Sequence, residues 1–135
     1  MNHSQKHILI ADSDEEVLIK LERLLQDQSH ETTTAWNTDQ ALGLLESRSF
    51  DLILASDHPP ELSCKRILDA ARTHQQATPI IILESRETDA FAEQHFASLG
   101  GSAFVNKWRH REILESVQQY LDPENCQKVK RAVAG

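Results

Sequence analysis

Ser56 and Asp57 are the residues best placed for chemistry, because they follow a run of four apolar residues, 52–55, that shows no alternation. Such a run predicts a strand buried on both faces, as in a parallel sheet covered by helices. The strand must end near Asp57, since Pro59 and Pro60 cannot donate to a strand ladder. Sites in open parallel sheets lie just beyond the carboxyl ends of the strands. We therefore expect a hydroxyl and a carboxylate at such a site.

Two other apolar runs end in charged residues that belong to the same crevice. The run at residues 7–11 ends at Asp12, and the run at residues 103–105 leads to Lys107. The carboxyl ends of parallel strands share one edge of the sheet. We therefore expect the first, third and fifth strands to bring Asp12 and Lys107 to the serine–aspartate pair.

The elements that position these residues alternate between strands and helices. The strands are predicted at residues 7–11, 31–36, 79–83 and 103–105, with the third over the apolar run 52–55 and ending near Asp57. Apolar residues at helical spacing follow each strand, although the third stripe is less regular and includes Leu62. Five such alternations imply parallel pairing, so the fold class is α/β, a three-layer αβα sandwich around a doubly wound parallel sheet.

Length and charge restrict the domain count and the partners. The 135 residues fit one domain, which we assign to residues 1–122, with 123–135 as a C-terminal extension or linker. The net charge of -7 disfavours a role in coating nucleic acid. The basic cluster at residues 107–111 is interpreted as a solvated helix start. We expect no nucleic-acid partner for this domain.

Membrane and enzymatic functions also receive no support from the sequence. Every apolar run is far shorter than the roughly 20 residues that cross a bilayer, and the first residues do not form a secretory signal. Cys64 and Cys126 lack metal or redox spacing, and two lone thiols fit the cytoplasm. The chain carries no Gly-rich phosphate loop, no Gly-x-Ser-x-Gly elbow and no catalytic Cys/His spacing, so we expect no enzyme.

Taken together, these segments resemble the receiver domain of two-component response regulators, from about His7 to Leu121. That family has an acidic pair after the first strand and a phosphate-accepting aspartate at the end of the third. It has Thr or Ser after the fourth strand and Lys-Pro after the fifth. The framework segments that follow the family in order and spacing are residues 8–12, 51–54, 79–83 and 100–107. The resemblance implies a flavodoxin-like (βα)5 fold with strand order 2-1-3-4-5, and a role in phosphorelay signal transduction.

The acidic positions depart from the family pattern. Asp12 keeps the first acidic position, while Ser13 replaces the second, which is the usual direct ligand of the family's Mg²⁺. Mg²⁺ needs hard oxygen ligands in near-octahedral geometry. Ser56 takes the acceptor position, and Asp57 follows one place later. One residue along a strand moves a side chain to the opposite face, so Asp57 acts as acceptor only if the chain re-aims it. Otherwise it is a solvated carboxylate or caps the next turn.

The remaining pocket positions are Glu84, Phe104 and Lys107. Glu84 stands where the family has Thr or Ser, and Trp108 stands where it has proline. In the family the lysine pairs with the acceptor carboxylate or the phosphoryl group. Here its counterion is either Asp12 or Glu84, and a Glu84 pair would fix one conformation without phosphorylation. Phe104 matches an aromatic that rotates with activation in the family, or is simply a core residue. A serine without an activating base is expected to bond Lys107 or the backbone.

We therefore predict an atypical, degenerate receiver that acts by protein–protein interaction without the standard phosphorylation of an aspartate, and without a cofactor. The resemblance implies a signalling protein or an output domain as partner, a histidine kinase among them, or a homodimer through the fourth and fifth helices. The alternative is a functional phosphoacceptor that uses Asp57, with Mg²⁺ held by Asp12.

Overall fold

The computed structural model of the chain describes residues 6–75, 77–85 and 90–122. Its strands are β1 (His7–Ala11), β2 (Glu31–Ala35), β3 (Leu52–Ser56), β4 (Ile80–Glu84) and β5 (Ala103–Asn106). Its helices are α1 (Glu15–Gln26), α2 (Thr38–Ser47), α3 (Cys64–His74), α4 (Ala90–Ser98) and α5 (His110–Leu121). The proposed extension at residues 123–135 lies outside the described residues.

The five strands form one parallel sheet in the order β2-β1-β3-β4-β5. This confirms the doubly wound α/β fold and the strand order that the resemblance implied. Adjacent residues of one strand face opposite layers of the sandwich. Leu9 belongs to the core on the side of α2 and α3, whereas Ile8 and Ile10 belong to the core on the side of α1 and α5. The absence of alternation in the strand sequences therefore reflects burial on both faces.

Three of the helices, α1, α2 and α3, begin where a short polar side chain caps them. Asp14 accepts a hydrogen bond from the backbone N–H of Glu16 at 2.9 Å and starts α1. Asn37 caps α2 and Ser63 caps α3 in the same way. Each cap satisfies a backbone donor that has no partner inside the helix.

The structure differs from the predicted elements mainly at their ends. β2 ends at Ala35, one residue earlier than predicted, and β5 continues through Asn106. Leu62 is buried but precedes α3, because its backbone pairs with that of His58 in an isolated antiparallel bridge. That bridge shapes the loop between β3 and α3, so an apolar residue assigned to a helix instead closes a turn beside the site.

Candidate functional site

A buried carboxylate, that of Asp12, organises the site at the carboxyl edge of the sheet. Asp12 follows β1 and is 0% exposed. Its Oδ2 accepts hydrogen bonds from Ser56 Oγ at 2.5 Å and from Lys107 Nζ at 2.6 Å. Its Oδ1 accepts one from the backbone N–H of Asp14 at 2.8 Å. A buried charge is tolerated when it is paired and hydrogen-bonded, and Asp12 meets both conditions.

Lys107, which follows the edge strand β5, supplies the counter-charge. It is 2% exposed, and its backbone N–H donates to the carbonyl of Glu84 at 2.7 Å. Its ammonium forms a buried ion pair with Asp12. Asp12 and Glu84 were the alternative counterions expected from the sequence, and among the ion pairs of the described residues Lys107 pairs with Asp12.

His58 joins this network, although the sequence analysis did not single it out. Its Nε2 lies 2.7 Å from Lys107 Nζ and 3.5 Å from Asp12 Oδ1, with its side chain 31% exposed. An ammonium can only donate, so this contact requires Nε2 to be the acceptor. The signal was present in the sequence, because His58 stands two residues after Ser56 and side chains two apart in extended chain share a face. We call Asp12, Ser56, His58 and Lys107 the Asp12 cluster.

Ser56 and Asp57 point to different places. Ser56 is 0% exposed, and its hydroxyl donates a hydrogen bond to Asp12. The bond expected from the sequence was to Lys107 or to the backbone. Asp57 is exposed, and its Oδ1 accepts a hydrogen bond from the backbone N–H of Cys64 at 3.0 Å. The contact that the structure gives Asp57 is thus at the start of α3. Asp57 is therefore an exposed carboxylate that accepts a hydrogen bond from the first residue of α3, whereas the two interpretations from the sequence were a solvated carboxylate and a cap of the next turn.

Among the described residues, the hydrogen bonds and ion pairs of the Asp12 carboxylate do not involve Ser13, Glu84 or Phe104. Ser13 and Glu84 are partly buried. Phe104, also partly buried, packs against the core on the side of α2 and α3, which favours the interpretation of a core aromatic. Burial, and secondarily the charge of Asp57, raises the pKa of the Cys64 thiol beside this loop to about 12.

The cluster offers Mg²⁺ one carboxylate, that of Asp12, and one hydroxyl, that of Ser56. Mg²⁺ is usually held by one or two carboxylates with several retained waters. Here Asp12 is already neutralised by Lys107, and the neighbouring positions offer hydroxyls at Ser13 and Ser56. Over the described parts of the chain, no three His, Cys, Asp or Glu side chains come together as a metal-binding group.

Fold and site together define a class, the open doubly wound α/β domains, here with a site that joins the ends of the first, third and fifth strands. The model of the response regulator receiver domain matches residues 8–118, which is most of the sequence. The chain belongs to the response regulator receiver domain family. No curated protein gives a significant match.

Solved structures support the fold. The chemotaxis protein CheY4 of Vibrio cholerae, crystallised at low pH, is 22% identical with a TM-score of 0.80, covering 87% of this chain and 99% of its own. A CheY-like receiver domain protein of Methanospirillum hungatei is 23% identical with a TM-score of 0.81, covering 93% and 98%. The response regulator TrrA of Thermotoga maritima, in complex with Mg²⁺-BeF, is 24% identical with a TM-score of 0.75, covering 86% and 99%. In the described residues no helix is both long and apolar enough to span a membrane.

Proposed function

We propose that this receiver domain is atypical and signals by protein–protein interaction, without phosphorylation of an aspartate at the usual position. One observation carries the proposal. Ser56, at the acceptor position, is buried and donates its hydroxyl to Asp12, which is in turn paired with Lys107. The positions that would accept a phosphoryl group and bind its metal are thus bonded to one another.

Chemical reasoning supports an inert pocket. Acyl phosphate formation needs a carboxylate nucleophile, and Ser56 offers a hydroxyl instead. Asp12 lies against that hydroxyl and is the nearest available base. However, the oxygen of Asp12 that accepts this hydroxyl also pairs with the Lys107 ammonium, so it is already occupied. Full burial of Ser56 also keeps a phosphoryl donor away from its oxygen.

The partners follow from the proposed role. We propose a signalling protein, a histidine kinase among them, or an output domain as the partner, and no enzymatic activity. A homodimer through α4 and α5 is a further arrangement, supported by Phe91 on α4, which is 84% exposed. The free, buried thiol of Cys64 fits a reducing cytoplasm.

A second candidate function rests on the exposure of Asp57. A carboxylate beside the pocket that solvent reaches remains chemically available, and TrrA, a structural neighbour, was solved with Mg²⁺-BeF. Under this alternative, Asp57 accepts the phosphoryl group and Asp12 holds Mg²⁺. It requires the Asp12–Lys107 ion pair to open and Asp57 to leave the backbone of Cys64.

The experiment uses Trp108, which is 49% exposed and next to Lys107, as the reporter of the pocket. In a Trp36→Phe background, MgCl₂ and then beryllium fluoride are titrated while Trp108 fluorescence is recorded, and circular dichroism confirms folding. The protein is also incubated with acetyl phosphate and its intact mass measured. We expect no saturable fluorescence change and no phosphoryl adduct.

Asp57→Asn is the matched control. A saturable response or an adduct that this substitution abolishes would contradict the inert pocket and establish Asp57 as the acceptor. A response that survives in Asp57→Asn would contradict both candidates, because it would place the chemistry at another residue.

A further inference from the structure

A groove on another part of the surface runs between α1 and α2, beside the end of β2. The groove is open to solvent and has a volume of about 920 Å³. It does not include any member of the Asp12 cluster. Its lining is Glu15, Leu18, Ile19, Glu22, Thr34, Trp36, Asp39, Gln40, Gly43 and Leu44.

The groove gathers apolar side chains that solvent reaches. Trp36 is 59% exposed and Ile19 is 49% exposed, and these are two of the four large exposed hydrophobic residues of the described chain. Leu18 and Leu44, which are more buried, complete the apolar lining. Single exposed apolar residues are ordinary, but several that share one concave surface are typical of an interaction site.

The charged residues of the groove are all acidic. Glu15, Glu22 and Asp39 line it, and no Lys, Arg or His does. Among the ion pairs between described residues, none involves these three carboxylates. Glu22 accepts a hydrogen bond from the Thr32 hydroxyl at 3.2 Å, a neutral donor that adds no counter-charge. A cationic partner would supply the missing counter-charges.

Gly43 keeps the α2 wall of the groove open. It lies in the middle of α2, is exposed, and a Cβ built there meets nothing within 4 Å. Glycine weakens a helix relative to alanine, and no crowding requires it here. The space that a side chain would fill is instead part of the groove.

We propose that this groove docks a positively charged amphipathic helix of a partner protein. Apolar side chains of that helix lie on Trp36 and Ile19, and its Lys or Arg residues pair with Glu15, Glu22 and Asp39. Two flanking helices with an apolar floor suit helix-in-groove recognition. The inference rests on the proposed interaction role and adds the surface and the chemistry of the partner.

The test uses a synthetic Leu/Lys amphipathic peptide of about four helical turns as the probe, with its Leu/Glu counterpart as the charge control. Binding is followed by Trp36 fluorescence in a Trp108→Phe variant of the full chain and by amide chemical shifts in the unaltered protein. We expect saturable binding of the Leu/Lys peptide only, with the shift changes in α1 and α2 and at the end of β2.

Charge variants separate local from overall electrostatics. The combined variant Glu15→Gln, Glu22→Gln, Asp39→Asn should weaken binding about tenfold, since exposed ion pairs are individually modest. The matched variant Glu46→Gln, Glu61→Gln, Glu115→Gln changes the net charge equally on exposed residues outside the groove, and should change affinity less than about twofold. Equal weakening by both variants would overturn the proposal.

Gly43 provides a steric test. Gly43→Leu should place a side chain in the groove and reduce peptide affinity at least about tenfold, whereas Gly43→Ala should leave affinity nearly unchanged. Affinity that Gly43→Leu does not reduce, or shifts centred on α4 and α5, would refute docking in the groove. Self-association that depends on concentration and is abolished by the combined variant Glu15→Gln, Glu22→Gln, Asp39→Asn would also refute the proposal, because the occupant of the groove would then be a second copy of the chain.

This outcome is separable from that of the proposed function. The fluorescence assay with magnesium and beryllium fluoride reports Trp108 at the pocket, and the peptide assay reports Trp36 in the groove. The two assays can therefore give independent results. Asp57 can prove to be a phosphoacceptor while the groove binds the peptide, and the pocket can prove inert while the groove does not bind it.

Discussion

Replacing Lys107 by methionine should destabilise the fold strongly, because it leaves a buried carboxylate without its cation. Asp12 is 0% exposed and Lys107 is 2% exposed, so water compensates neither charge. Methionine preserves most of the apolar stem, and the main loss is the ammonium. The carboxylate keeps its hydrogen bonds from Ser56 and from the backbone of Asp14.

The magnitude follows from the separation of 2.6 Å between Lys107 Nζ and Asp12 Oδ2. At an effective dielectric constant of about 20, the Coulomb attraction is about 6 kcal/mol, which is a gross value opposed by desolvation. Removing one partner of such a pair costs about 3–5 kcal/mol. Domains of this kind have an unfolding free energy of about 5–15 kcal/mol, so the variant loses a large share of its stability.

The assay is urea unfolding at pH 7, followed by circular dichroism. With a slope of about 2 kcal/mol per molar urea, Lys107→Met should lower the unfolding midpoint by about 2 M. Lys65→Met is the control, because Lys65 also pairs with an aspartate, Asp69 at 3.5 Å, but on the exposed surface. That variant should lose less than about 0.5 kcal/mol. Asp12→Asn combined with Lys107→Met should lose less than the sum of the two single variants.

A loss below about 1 kcal/mol for Lys107→Met, with an unchanged urea slope, would refute the buried ion pair. Additive losses in the double variant would do the same, since they would mean that the two side chains do not interact. Either result would also remove the main support for an inert pocket.

Three further predictions concern single groups. Ser56→Asp should lower the melting temperature by placing a second carboxylate against Asp12, and MgCl₂ should recover the loss if the two carboxylates share the cation. Burial, and secondarily the charge of Asp57, raises the pKa of the Cys64 thiol from 9.0 to about 12. Cys64 should therefore resist iodoacetamide at pH 8, which peptide mass analysis of the native protein measures. The unfolded thiol ionises first, so stability should fall as pH rises above about 9, and Cys64→Ala should reduce that slope. Burial lowers the pKa of His30, so the unfolded chain binds the proton more readily than the folded one. Stability should therefore fall as pH drops below about 6.5, and His30→Gln should flatten that part of the pH profile.

The sequence alone was sufficient to predict the fold, because the burial and the periodicity of each segment follow from its own residues. Runs such as residues 52–55 have no polar alternation, and a strand of that kind is stable only between two layers. The polar caps Asp14 and Asn37 fall where the helices begin, since a side chain two or three residues away supplies the missing acceptor. The predicted ends were less accurate, as Leu62 shows, because a pairing across a loop outweighs helical spacing.

The site was predictable only as a meeting of strand ends. Strand order and parallel pairing bring Asp12, Ser56 and Lys107 to one edge, so their proximity followed from the sequence. Which carboxylate pairs with Lys107 did not follow, because Asp12 and Glu84 are both carboxylates at strand ends. Burial decides it, since the pair forms where neither charge retains water.

His58 and the groove between α1 and α2 depended on tertiary structure in different degrees. His58 could have been inferred from its spacing to Ser56, although its contact with Lys107 requires the loop that Leu62 closes. The groove is lined by residues of separate elements, so no local pattern in the sequence predicts its volume or its acidic charge. Local spacing determines what a segment becomes, whereas the pairing of distant charges and the space between elements exist only after the segments pack.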